Sequence, residues 1–385
     1  MKEVYIKIMG RDPLLFGDGR PFANELGALA ARTLREPMPE TIAGFVRTVT
    51  GSLKGWKWNE QNAIRARSIS VHSPIILRNG RPMFRAPSDA LITRRRHEEP
   101  PGVFALRPFK PHADAGIYLD TPLDPLLIPD QAKPEVGYNW WPMETFSAWL
   151  ASPDGRHVSV PDREPGMPIE RRAHVAIDDQ KGSSLEKHLY TTEGIVFTGR
   201  TKRQGGSSSH SDEATEYLEW SILAKVSGDD STELSGVAPL GGEGRLASIA
   251  TVGEEFWPKP SPELVKTIGR ADRVRMILVT PAHFNGGWKP EWLDDDLQGT
   301  PPSVQGLKLR LVSAAVGRRM TTSGWDLFHD RPKLVRWLVG SGSVYFFEVV
   351  QGSAAVLTGD AWLKPVSDEE QSRRDGYGLA VWGVW

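Results

Sequence analysis

The chain has 385 residues, 39% hydrophobic and 25% charged, with a formal net charge of −1 and no cysteine. This is the composition of a globular protein with room for about two to three domains. It excludes disulfides, thiolate metal sites and a cysteine nucleophile and fits a cytoplasmic location. No apolar run approaches the ~18 residues needed to span a bilayer, so no membrane association is expected, and Met1 to Ile8 reads as a strand, not a signal peptide.

Val4, Ile6 and Ile8 alternate with Tyr5, Lys7 and Met9, which predicts a half-buried strand over 3–9. Arg11 to Phe22 is rich in turn formers and predicts a loop. Ile42, Phe45, Val46, Val49 and Leu53 fall on one helical face, and Pro39 and Thr41 suit its start, predicting a helix over 40–53. Residues 68–78 return to a strand pattern. The region 97–170 is proline-rich and reads as an insertion elaborating the first domain, with a short helix near 143–151 after Trp140-Trp141-Pro142. Residues 204–213 read as a flexible loop or domain boundary. Strand patterns follow at 217–226, 274–280, 307–312 and 343–350, and short helices are expected from Pro262 and within Ser367–Arg374. The sum is an α+β fold with a duplicated plan.

Charge is uneven along the chain. Residues 1–110 hold 19 Lys+Arg against 10 Asp+Glu, residues 111–235 hold 11 against 21, and residues 236–385 hold 17 of each. The basic first segment, with Arg65, Arg67 and Arg94-Arg95-Arg96, suits a polyanion, and the acidic middle suits solvent or a basic protein partner. No Walker loop, G-x-G-x-x-G, H-E-x-x-H or G-x-S-x-G elbow is present. Asp294-Asp295-Asp296 reads as a solvated acidic turn, and none of the nine histidines has metal-ligand spacing with another. No cofactor is expected.

Leu240-Gly241-Gly242-Glu243-Gly244-Arg245-Leu246 places three glycines in four positions before an arginine. Such a loop is either a turn or a nest of N–H groups for an anion, with Arg245 supplying a fork for phosphate. Fourteen tryptophans divide between core and stacking platforms for bases.

Asp12 to Phe22, followed by Pro39-Glu40-Thr41-Ile42-Ala43-Gly44-Phe45-Val46-Arg47, resembles the N-terminal signature of the RAMP proteins, the repeat-associated RNA-binding proteins of CRISPR systems. Leu189-Tyr190-Thr191, the glycine loop 240–245, Ser323-Gly324-Trp325-Asp326-Leu327, Gly340 to Phe347 and Gly376-Tyr377-Gly378 follow in order. Together they are similar to the third-subunit family of the type III-B (Cmr) effector complex. Gly17 departs from the resemblance, standing where that family has a basic residue more often. The resemblance implies two ferredoxin-like (RRM-related) domains, 1–205 with the insertion at about 97–170 and 206–385 with the glycine loop. It implies a non-catalytic subunit that holds the 5′ handle of the CRISPR RNA and links the large polymerase-like subunit to the backbone RAMP subunits. Target RNA would be met through the complex. Expected RNA contacts are Gly241, Gly242, Gly244 and Arg245, then Arg20, Arg47, Lys202 and Arg203. One alternative is a metal-independent RAMP endoribonuclease using His72, His188 and Tyr190; another is a pure protein-docking subunit.

Overall fold

Alternation works as expected in the first strand: Val4, Ile6 and Ile8 enter one core while Tyr5 turns to the other side. The structure, a computed structural model, describes residues 2–17, 30–94, 100–111, 121–128, 133–154, 157–202, 215–326, 328–329 and 331–385. The main strands of the first part are β1 Glu3–Gly10, β2 Ser70–Arg78, β3 Arg81–Arg85, β4 Trp140–Pro142, β5 Ile169–Ile177, β6 Ser184–Ile195, β7 Thr198–Lys202, β8 Thr215–Ser227, β9 Ser235–Pro239 and β10 Leu246–Val252. Those of the last part are β11 Arg273–Leu278, β12 Lys308–Ala315, β13 Val344–Gln351 and β14 Leu379–Val384. The helices are α1 Pro39–Leu53, α2 Glu60–Ser68, α3 Met143–Ala151, α4 Pro262–Ile268 and α5 Glu370–Arg374.

The first sheet is antiparallel in the order β9-β10-β1-β8-β2-β3-β4, with β7 also on β8. Ile6 of β1 lies opposite Ala224 of β8 on one side and Thr251 of β10 on the other. A second sheet runs Gln298–Gly299, β12, β13, β11, β14, Lys364–Pro365. Four strands of each share one order: the sequence β10-β1-β8-β2 is matched by β14-β11-β13-β12. The duplicated plan is thus present in the strands. It is incomplete in the helices, since a β9–β10 hairpin occupies the β8-to-β10 connection and no helix lies between β11 and β12. The strands over 215–252 complete the first sheet. The change from one sheet to the other therefore falls between Val252 and Arg273, not at the expected 205/206 boundary.

Both faces of the first sheet are covered. Ile42, Phe45, Val46 and Val49 of α1 pack on the face carrying Ile6, Val71 and Ile222. The opposite face, through Ile75, Leu77 and Leu223, joins a core shared with the second sheet and with α3 and α4. Fully burying each such side chain contributes roughly 1.5–3 kcal/mol. Helix α3 emerges from the proline-rich insertion as expected, but it does not elaborate the first sheet alone: Trp149 and Leu150 sit in one core with Val274, Met276 and Trp382. The junction is fixed by a buried ion pair. Arg275 of β11 donates to Asp89 and to the Trp149 carbonyl, while Trp149 Nε1 donates to Asp89 Oδ1 at 3.1 Å. No helix among the described residues is long and apolar enough to cross a membrane.

Candidate nucleic-acid interface

The loop after β1 is knitted to three other segments. Gly242 N donates to the Leu15 carbonyl at 2.8 Å, Arg11 N donates to the Leu246 carbonyl at 2.8 Å, and Leu246 N donates to Asp12 Oδ2 at 3.0 Å. Leu14 and Ile195 exchange backbone bonds of 2.9 and 2.8 Å, tying the loop to the end of β6. Phe16 N donates to Thr33 Oγ1 at 3.0 Å, and Leu34 N donates to the Phe16 carbonyl at 2.7 Å. Leu14, Phe16 and Leu240 are buried beneath, so the four segments form one surface.

Arginines dominate that surface. Arg11, Arg32, Arg171 and Arg172 are exposed and Arg245 is half-buried. Three of them carry surface ion pairs: Arg245 with Glu243 at 3.0 Å, Arg171 with Glu193 at 2.6 Å, and Arg172 with Glu170. The Arg171 hydrogen bond, with a further one from the Thr33 amide, holds Glu193 below the usual carboxylate range, and the Arg172 hydrogen bond does the same for Glu170. Exposed pairs of this kind add little net stability, so phosphate oxygens can compete for the guanidinium forks.

The glycine loop divides. Gly241, at φ +80°, lies so close to the first loop that a Cβ would sit 2.4 Å from the Leu15 carbonyl oxygen. The N–H of Gly242 is occupied by Leu15. These two glycines serve contact with their own chain, whereas Gly244 faces open space beside Arg245. Arg47 is not on this surface. It is buried, bonding the Ile69 carbonyl through Nε at 3.1 Å and Nη2 at 2.7 Å and Asp375 Oδ1 through Nη1 at 2.5 Å. The expectation of a phosphate contact there fails because the guanidinium already ties α1 to the end of α5. Lys202 ends β7 opposite Thr215. Arg20 and Arg203 lie outside the described residues. Arg11, Arg32, Arg171 and Arg172 are not among the contacts expected from the sequence; the available signal is the Arg171-Arg172 pair just past the insertion.

The residues of the alternative nuclease do not assemble on one element. His72 lies in β2, opposite Lys225 of β8, and His188 and Tyr190 lie in β6 of a separate three-stranded sheet. The Tyr190 ring is stacked on His174 with centroids 5.0 Å apart. Among the described residues no group of His, Asp and Glu could hold a metal ion. Of the fourteen tryptophans seven are buried, and Trp58, Trp288, Trp325 and Trp337 are exposed.

The sequence matches the family described as CRISPR-associated protein (Cas_Cmr3) over residues 6–385. The chain belongs to the Cas_Cmr3 family. No curated protein matches it. A chain of the cryo-EM structure of the Type III-B Cmr-beta bound to cognate target RNA and AMPPnP is 14% identical, covers 89% of this chain and 86% of that one, and has a TM-score of 0.45. A chain of the Csm3-Csm4 subcomplex of the type III-A CRISPR-Cas interference complex is 10% identical, with coverage of 91% and 94% and a TM-score of 0.36. The motif glycines of this Cas_Cmr3 chain mark places where its two halves touch. Gly324 lies against Glu40, Gly342 against the Ala86 carbonyl, and Gly376 against the carbonyls of Val71 and Ser73.

Proposed function

We propose that this Cas_Cmr3 chain is the non-catalytic guide-RNA-binding subunit of a type III-B effector complex. It holds the 5′ handle of the CRISPR RNA and links the large polymerase-like subunit to the RAMP backbone. The observation that carries the reading is the family match, which runs from the first strand to the last. The shared strand order of the two sheets supports two ferredoxin-like units, each without part of its helical layer. The arginine surface built from the β1 loop, the glycine loop and the β5–β6 hairpin supports contact with a ribose-phosphate chain, because arginine pairs with phosphate in two-bond geometry. Gly244 leaves room for that chain to approach Arg245. The placement of His72 apart from His188 and Tyr190, on different sheets, supports a holding role over cleavage.

The test is binding of a handle-bearing guide RNA to the complex reconstituted with wild-type or Arg172→Ala/Arg245→Ala chain. The double variant is expected to bind more weakly, with the slope of log affinity against log salt reduced by about one to two. Unchanged affinity and slope would remove this surface from the RNA path.

A further inference from the structure

Between β12 and β13 the chain leaves the second sheet as an arm, in which Met320–Thr322 pairs with Arg336–Leu338 and Trp325–Asp326 with Arg331–Pro332. A cleft of about 500 Å³ opens between this arm and the loop around residues 283–288. Trp288 and Trp337 line it and are 38% and 49% exposed. The Arg319 guanidinium lies 3.9 Å from the centre of the Trp337 ring. The cleft is fastened from below: Tyr345 Oη donates to the Trp288 carbonyl at 2.7 Å, and Arg336 Nη1 donates to Ser372 Oγ at 3.2 Å. His283, half-buried, also lines it, with its Nδ1 3.9 Å from Glu369 Oε2.

This chain puts half its tryptophans in the core, yet two partly exposed indoles line one concavity. Residues 318–337 carry five Lys+Arg against two Asp. Arg318 and Arg319 are exposed and have no ion pair among the described residues. Partly exposed indoles, one of them with a guanidinium stacked on it, and two exposed arginines match the needs of an unstacked nucleotide, which presents a π-face and a phosphate. We propose that this cleft takes a base of single-stranded RNA, stacked on Trp288 or Trp337, with the adjoining phosphate on Arg318 or Arg319. The inference rests on the RNA-binding reading above and adds a second contact region to it, away from the glycine loop.

Anisotropy of a fluorescein-labelled adenine-only RNA of roughly 12 nucleotides, within the site sizes of such surfaces, measured on the full chain, tests it. Trp337→Ala and Arg319→Ala are each expected to weaken binding about fivefold or more, the lower end for loss of one stacked base. Trp337→Phe should stay within about twofold, because it keeps a stacking face, and all three should melt like wild type because the side chains are exposed. If the alanine variants bind like wild type while Arg172→Ala/Arg245→Ala binds more weakly, the cleft inference falls and the RNA reading stands. If wild-type chain binds no RNA, both fall. If the cleft variants keep RNA affinity but no longer join the reconstituted complex, the cleft is a protein-docking face and the inference falls.

Discussion

Arg47 is buried and His72 half-buried, and both act within the fold. Arg47 is held by the Ile69 carbonyl and by Asp375, and both members of the pair are about one-tenth exposed. Removing one partner of a buried pair costs roughly 3–5 kcal/mol because the other charge is stranded. Arg47→Met is therefore expected to lower the urea midpoint strongly while leaving the salt slope of RNA binding unchanged. His72 is held neutral: burial, with the charges of Lys364 and Lys225, pushes its pKa down to about 4 from an ordinary 6.5. Well above pH 6.5 the ring is neutral in both the folded and the unfolded chain. As pH falls from 6.5 towards 4 the unfolded chain takes up a proton that the folded chain refuses, so stability declines across that window. Urea titrations at pH 7.5 and 4.5 are expected to show a smaller acid loss for His72→Gln than for wild type.

The α3 helix and the hairpin β9–β10 each join parts of the chain that sequence keeps apart. Asp89 receives both Arg275 and the Trp149 indole, so Asp89→Ala leaves Arg275 buried and uncompensated. A loss of roughly 3–5 kcal/mol is expected, with much of it recovered in Asp89→Leu/Arg275→Met, where the buried charges are gone altogether. Gly241→Ala adds a Cβ at positive φ against the Leu15 carbonyl. A cost of about 1–3 kcal/mol and faster amide exchange at Gly242 are expected, as the β1 loop lifts from the hairpin. How much of this is legible in sequence follows from what faces what. Helix α1 and strands β1 and β12 are readable because their buried residues recur at a fixed period, and β2, β8, β11 and β13 because burial on both faces makes them short apolar runs. Helix α2 was not, since Ala66 is its only buried residue and its start rests on the Asn59 cap, Oδ1 accepting from Asn62 N at 2.9 Å. The β5–β6 hairpin, which carries Arg171 and Arg172, was missed for a similar reason: Val175, Ile177, Leu185 and Leu189 are all exposed on it. The glycine loop was visible, but whether its glycines meet RNA or Leu15 depends on a segment more than 200 residues away.

Across the molecule, the two sheets cannot be separated where composition changes. The first sheet needs β8 and β10, made after residue 205, and its lower face is closed by a core shared with the second sheet. A fragment of residues 1–205 is therefore expected to show no cooperative thermal transition by circular dichroism, whereas a chain divisible at 205/206 would. The tie between Arg47 and Asp375 spans 328 residues. Seen from the ribosome, at about 5–20 residues per second, that arginine enters the growing chain on the order of tens of seconds before its counter-charge exists. For that interval the amino-terminal helix carries a cation that its native site cannot neutralise, and the final core closes only once the distal carboxylate arrives.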